Sequence, residues 1–510
     1  MRIRSEAVMK LNQLIFPEEC LKVPKKYDCE IEEIITNVYT RVKPNSLFIA
    51  YRHLNLDIEN LINCLPQGKN LTILCDESLK INNLGHNIVR VKNVRKISAL
   101  VFARFYKIDF SQSKFIAITG TNGKSSTATI LEHILIKSGE NVGFIGTGKI
   151  KIKDKVITSY TYSMTTPDVE VLYKAIKEMQ NQDCRYIILE VSSHALHFEK
   201  VSAIPFEIGV FTNLSEEHLD FHSTIEDYFQ TKLRLFDRCK YGVFNMDNEY
   251  SRKAFYKVSV KKYSIGIIQD AEVMARDVGL LGITKSEYIY REPDLIFKVE
   301  LNLGGAFNVY NSIFAIKCAL ILGVSASQIK RCTKEVSCIE GRNEIINEHP
   351  MVIIDYAHTP YALENELKTI NTHIKIGQNI ITVFGCGGNR DRTKRAKMGA
   401  IAEKFSNFVI VTADNSRNEN LSQIFKDILK GFKSTAKRKV ITSRENAIKQ
   451  AIMLANDEDI ILLVGKGHEK YNIDKDGEHH FDERAIVKEA LQLRKRLSIN
   501  ENTVTNTSLH

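Results

Sequence analysis

The stretch "FIAITGTNGKSSTATILEHIL", residues 115–135, changes its period in the middle. Phe115 to Thr119 is a continuous apolar run of the kind buried on both faces of a parallel sheet. From Ser125 onward Ile130, Leu131, Ile134 and Leu135 recur at helical spacing, and Gly139 ends the pattern. Between the two lies Gly120-Thr121-Asn122-Gly123-Lys124-Ser125. A strand, a glycine-bearing turn and a helix, in that order, let backbone N–H groups and the positive helix N-terminus hold phosphate oxygens. The common phosphate loop, G-x-x-x-x-G-K-[ST], would need glycine at position 118, where this chain has isoleucine. The loop is therefore either a chance Gly-Lys-Ser or a nucleotide loop with its own spacing.

Working outward, strand patterns at Val142–Ile145, Tyr186–Leu189, Ile208–Phe211 and Tyr241–Phe244 alternate with helical ones, which implies a largely parallel sheet covered by helices. A second alternating series runs through Val352–Ile354, Ile380–Phe384, Phe408–Val411, Val440–Ile441 and Ile460–Val464, in the manner of a dinucleotide fold. Before residue 111, short strands such as Ser46–Ala50 and Leu71–Leu74 mix with helical stretches. The fold expected is α/β in three domains: a small N-terminal α/β unit (1–111), a central P-loop-type unit with a mostly parallel sheet and helices on both faces (112–342), and a C-terminal Rossmann-like unit (343–498). The polar end, 499–510, reads as a flexible tail.

Composition narrows the class. Of 510 residues, 44% are hydrophobic and 26% charged, as in ordinary globular proteins. The formal charge of +10 is spread along the chain, which fits small polyanions at least as well as nucleic acid or an anionic membrane surface. Ten cysteines without a C-x-x-C, no secretory leader pattern and no long apolar run point to a cytoplasmic chain with reduced thiols and no membrane insertion.

Several motifs carry chemistry only in combination. Glu190 ends the apolar strand "RYIILE", where an acid beside a phosphate loop can bind magnesium; alone it is a strand-end carboxylate. His218 and His222 in "FTNLSEEHLDFH" are four apart, but Leu219 stands where a zinc protease needs glutamate. "GAFNVYN" (305–311) and "DYAHTP" (355–360) set polar groups at element ends, and "GCGGNRDRTKR" (385–395) reads alone as a solvated basic turn with Cys386 as a small residue.

In order, these motifs resemble those of the Mur ligases, the ATP-dependent amino-acid-adding enzymes of peptidoglycan synthesis. The match runs through "TGTNGKSS", "TTPD" (165–168), "EVSSHAL", "FTNLSEEHLDFH", "YFQTKLRLFD" (228–237), "GAFNVYN", "EGR" (340–342), "DYAHTP", "FGCGGNRDRTKRAKMG", "DNSR" (414–417) and "GKGHE" (465–469). That family's loop is G-T-N-G-K-[ST], without the early glycine. The resemblance is strongest to the branch that adds the third residue, the MurE type. It implies that ATP phosphorylates the D-Glu side-chain carboxylate of UDP-N-acetylmuramoyl-L-Ala-D-Glu, and that an amino-acid amine then attacks the acyl phosphate.

Carried over on the matching residues, the resemblance assigns the ATP phosphates to Gly120, Thr121, Asn122, Gly123, Lys124, Ser125 and Ser126. Ser125, Glu190 and His218 would hold Mg2+. Lys232, as N6-carboxylysine, would supply a further carboxylate, and Lys124, Lys232 and His218 would be the catalytic set. Asn308 and Asn311 would meet adenine, with Arg342, Asp355 and His358 closing over ribose and phosphates. The precursor would meet Thr165, Thr166, Ser192 and Lys200 from the N-terminal side. Arg390, Asp414, Asn415, Arg417, Gly465 and Glu469 would read the added amino acid. In the diaminopimelate-adding branch the motif is D-N-P-R, whose arginine pairs with the distal carboxylate; Arg417 is kept, while Ser416 replaces the proline and implies a looser turn. Meso-diaminopimelate is favoured over L-lysine, and a monomer is expected. A folylpolyglutamate-type ligase or a non-catalytic nucleotide-binding relative are the alternatives. Met164, Phe198 and Lys200 depart from the family pattern on the precursor side, as does the first domain, which lacks the usual glycine-rich stretch.

Overall fold

A computed structural model describes residues 8–36, 43–51, 58–63, 65, 70–81, 85–153, 155–159, 164–218, 221–336, 338–434 and 437–507. Its centre is an eleven-stranded sheet. Strand Lys114–Thr119 lies between Tyr186–Glu190 and Phe206–Phe211, parallel to both. Side chains alternate across it: Phe115 and Ala117 join one buried cluster, Ile116 and Ile118 the other. With both faces covered, the strand has no need of a polar face, which is why it reads as an unbroken apolar run. The chain order reverses at this strand, so its carboxyl end opens a crevice where an α/β sheet receives ligands.

The expected parallel strands are present, with Val142–Gly146 and Cys239–Asn245 flanking the central three. The sheet also extends further than the sequence patterns indicated. The antiparallel strands Lys149–Ile152 and Lys155–Ser159 close one edge, and Val273–Leu280, Ser286–Glu292 and Leu295–Leu301 form a meander at the other.

The C-terminal sheet has six strands, in the order Glu344–Glu348, Met351–Asp355, Ile460–Val464, Ile380–Phe384, Phe408–Thr412 and Arg438–Ile441. All neighbours but the first pair are parallel, and a core lies on each face. The N-terminal sheet has five strands, including Ser46–Ala50 and Thr72–Asp76. Its helix Val94–Phe105 packs on helix Val169–Asn181 of the central unit. Val101, Phe102 and Phe105 thereby share one cluster with Phe115 and Leu172. The expected tail is instead continued by the last helix, Glu483–Thr507. Residues 499–507 contain neither glycine nor proline to stop it.

Candidate active site

The loop after strand Lys114–Thr119 is shaped by close approach. Gly120 has φ +144°, and a Cβ there would fall 2.0 Å from Thr212 Oγ1. The loop is held from the neighbouring strand end: Thr121 N donates to Asn213 O (2.9 Å) and Asn122 N to Asn213 Oδ1 (2.9 Å). Thr212 Oγ1 donates to Asn122 O at 2.6 Å. Helix Lys124–Lys137 then begins, and Lys124 Nζ folds onto Gly120 O (2.9 Å) and Thr121 O (2.8 Å). Burial lowers the pKa of Lys124, against the opposing pull of Glu217 and Glu190.

Ser125 Oγ donates to Glu190 Oε2 at 2.8 Å, and Thr147 donates to the same carboxylate through N (3.2 Å) and Oγ1 (3.0 Å). Glu190 is 1% exposed. A hydroxyl and a buried carboxylate this close fit Mg2+, which takes one or two protein oxygens and keeps waters and phosphate oxygens for the rest. Among the described residues no three His, Cys, Asp or Glu side chains form a cage by themselves.

Lys232, on helix Ile225–Leu233, is 1% exposed, and its Nζ reaches Gly120 O (3.1 Å) and Thr119 Oγ1 (3.3 Å). Burial, then Lys124, holds its pKa well below the ordinary lysine range. His218 has φ +58°, an uncommon value for a residue with a Cβ. Burial takes its pKa down to about 4, Lys232 and Lys124 adding to that and Glu217 opposing it.

The C-terminal unit faces this loop with the carboxyl ends of its strands. Asp414 to Arg417 follow strand Phe408–Thr412, and Gly465 follows Ile460–Val464. Asn415 fixes the turn: Nδ2 donates to Glu469 Oε2 (2.8 Å), and Oδ1 accepts from Lys466 Nζ (3.0 Å) and Ile473 N (2.9 Å). Arg417 N donates to Ile473 O at 3.0 Å. The turn that Ser416 was expected to loosen is thus held by four hydrogen bonds, to Glu469, Lys466 and Ile473, that need no proline. Arg417 Nη1 donates to Gly388 O (3.1 Å) and Asn415 O (3.2 Å), which aims the guanidinium past Gly387. Arg444, 4% exposed, donates to Val464 O (2.9 Å) and Ala413 O (3.4 Å) and so ties the two turns together.

One cleft collects both halves. Thr121 to Ser125, Thr147, Thr165, His218, Arg342, His358, Arg390, Asp414, Asn415, Arg417, Gly465 and Glu469 line it. A second, more apolar cleft shares Asn122, Gly123 and Arg342 with the first and adds Ser126, Phe307, Tyr310, Asn311 and Asp355. Asn311 lies on this second wall. Asn308 instead turns inward, donating to Gly304 O (2.9 Å) and accepting from Asn311 Nδ2 (3.2 Å), which places it behind Asn311. Asp355 holds the chain with both oxygens, accepting from Asn343 N (2.8 Å) and Ala357 N (2.7 Å). Of the residues expected at the precursor, Thr165 reaches the first cleft. Thr166 Oγ1 donates to Glu190 O (2.8 Å), Ser192 caps a short helix at Ala195 N (3.1 Å) and Lys200 pairs with Asp168 (2.8 Å).

Four residues escaped residue-level reading, although Glu217, Lys466 and Tyr356 lie within quoted motifs. Glu217 Oε1 lies 2.9 Å from His358 Nε2 across the domain junction, Lys466 is 0% exposed at the centre of the Asn415 turn, Thr147 holds Glu190, and Tyr356 meets Glu469 at 3.4 Å. Their signal was proximity to the motifs; their partners are far away in sequence. The basic turn also divides. Arg390 and Lys394 line the cleft, whereas Arg395 is 0% exposed between Glu419 (2.8 Å) and Asp427 (3.2 Å).

The tether between units is tight. Gly341 has φ +69°, and a Cβ there would lie 2.2 Å from His468 N.

Residues 118–319 match the Mur ligase middle domain and residues 341–467 the Mur ligase glutamate ligase domain. The chain belongs to the Mur ligase family, whose members are ATP-dependent amide-forming ligases. Within that family it is similar to the UDP-N-acetylmuramoyl-L-alanyl-D-glutamate–2,6-diaminopimelate ligase 1 of Clostridium acetobutylicum, 36% identical over 89% of this chain and 93% of the relative. It is 35% identical to the corresponding ligase of Clostridioides difficile, over 95% of this chain and 99% of that one. A solved UDP-N-acetylmuramoyl-L-alanyl-D-glutamate–2,6-diaminopimelate ligase superposes with a TM-score of 0.67 at 26% identity, covering 96% of this chain and all of that one. A folylpolyglutamate synthase of Mycobacterium tuberculosis shares the fold at 15% identity, with a TM-score of 0.61.

Proposed function

We propose that this chain adds meso-diaminopimelate to the D-Glu side-chain carboxylate of UDP-N-acetylmuramoyl-L-Ala-D-Glu, releasing ADP and phosphate. The observation that carries this reading is the single cleft in which a phosphate loop faces Arg390, Asp414, Asn415, Arg417 and Glu469. A carboxylate oxygen of the precursor attacks the γ-phosphorus and the bond to ADP breaks. The amine then attacks the acyl carbon, phosphate leaves with the C–O electron pair, and the amine gives up a proton. Lys124 and the loop hold the phosphates, while Arg390 and Arg417 bring the amino acid in from the opposite wall with charge-assisted contacts.

Mg2+ bound at Ser125 and Glu190, with His218 beside them, would neutralise charge on the phosphoryl oxygens. In this reading Lys232 carries a carboxyl group, which its burial beside Lys124 supports. Its lowered pKa favours the neutral amine, the form that captures carbon dioxide, and the resulting carbamate would put an anion opposite Lys124. Arg417 favours diaminopimelate over L-lysine because only the former has a distal carboxylate for it. No helix among the described residues is long and apolar enough to cross a membrane; with the soluble substrates this supports a cytoplasmic enzyme, which we take to act as a monomer. The test is phosphate release from ATP and the precursor with meso-diaminopimelate, L-lysine or no amino acid, with product mass checked. Ligation confined to diaminopimelate is expected, and a lysine preference would remove the role given to Arg417.

A further inference from the structure

The wall of the second cleft contributed by the C-terminal unit is helix Pro360–His373, which sets Tyr361, Ala362, Asn365, Glu366, Thr369 and Thr372 along it. Facing it, helix Ala306–Ile321 presents Phe307, Tyr310, Asn311 and Phe314. Glu366 is out of place by ordinary packing rules. It is 2% exposed, and its Oε1 is sealed from solvent without a hydrogen-bond partner. A buried oxygen left unpaired costs stability unless a ligand supplies the partner.

We propose that Glu366 is a nucleoside-recognising residue, its carboxyl group hydrogen-bonding the nucleoside of ATP in the cleft between these two helices. Burial pushes this carboxyl well above the usual carboxylate range, and the neighbouring Asp355 pushes the same way. That shift favours the protonated form, which offers one donor and one acceptor side by side. A nucleoside presents the complement: an exocyclic amine next to a ring nitrogen on adenine, or two adjacent hydroxyls on ribose. As a neutral acid it adds no repulsion toward a triphosphate, which an ionised glutamate would.

This inference rests on reading the cleft as the nucleotide site, so its test measures ATP binding directly, by calorimetry with Mg2+ and without precursor or amino acid. Glu366→Leu should weaken ATP binding about tenfold, with an unchanged or raised Tm because an unpaired polar group has left the interior. Glu366→Gln, which keeps a donor and an acceptor, should bind ATP within about threefold of the native chain. In the native chain the advantage of Glu over Leu should vanish with either inosine triphosphate or 2′-deoxy-ATP, showing whether base or ribose is read. Native-like ATP binding by the Leu variant, a Gln variant as weak as Leu, or an equal loss with all three nucleotides would overturn the proposal. Failure of the native chain to bind ATP would instead overturn the nucleotide site itself.

Discussion

Glu217 Oε1 and His358 Nε2 lie 2.9 Å apart although 141 residues separate them, and their contact joins the loop bearing His218 to the start of the C-terminal unit. Burial alone would raise the Glu217 carboxyl, but His218, His358 and Lys394 outweigh it and hold the group well below the usual carboxylate range. Lys394 Nζ donates to His358 O at 2.8 Å, so the histidine is fixed from both ends. Glu217→Ala should lower kcat about 100-fold, the cost of misplacing catalytic groups across a cleft, while ATP affinity changes by less than about threefold. Steady-state kinetics beside direct ATP binding check this; equal loss in both would show that the pair serves nucleotide binding instead.

Lys232→Met should lower kcat by at least about 100-fold by removing a group poised beside the phosphates, with the fold preserved by a chain of similar length. Stripping carbon dioxide from the buffer should slow the native enzyme, and bicarbonate should restore it. Peptide mass spectrometry under carbamate-preserving conditions should find the adduct on this lysine; activity indifferent to carbon dioxide would sink the modification.

Arg417→Ala should raise the KM for diaminopimelate about 10- to 100-fold, the range for one charge-assisted contact. The KM for ATP should stay within about twofold. Because the turn is held by Asn415 and Lys466, the variant should keep its fold by circular dichroism, and an unchanged amino-acid preference would refute the assignment.

Acid should loosen the C-terminal unit. Hydrogen bonds from Arg395 bring Glu419 down to about 2 from the ordinary glutamate value of 4.5. A depressed folded-state pKa contributes stability that is present above the unfolded value and lost as pH falls through the folded one, so the loss should run from about pH 4.5 to about pH 2. Arg395→Ala, which takes the buried guanidinium from two half-buried carboxylates that keep Arg392 and Lys430 as partners, should cost about 1–3 kcal/mol, read from urea unfolding followed over this unit.

Much of this architecture was legible because its strands are buried on two faces. Phe115–Thr119, Ile380–Phe384 and Ile460–Val464 read as unbroken apolar runs since both sides of each are covered. The edge strand Lys149–Ile152 escaped for the converse reason: its residues alternate between partly exposed lysines and buried isoleucines, so it offers no unbroken apolar run. In the site, order along the chain revealed the loop, Glu190 and the Asp414–Arg417 turn. Two things could not be read. Glu217 and His358 meet only through folding, and nothing local distinguishes the buried Arg395 from the exposed Arg392 three residues earlier.

The crowding of Gly341 against His468 means that the connector is clamped to the very loop that bears Gly465 and Glu469. A swing of the C-terminal unit cannot leave that loop behind, because the pivot and the pocket are one piece of machinery. A side chain larger than hydrogen at position 341 would collide with the backbone of Gly467 and His468, so one substitution there would disturb the connector and the Gly465–Glu469 loop together.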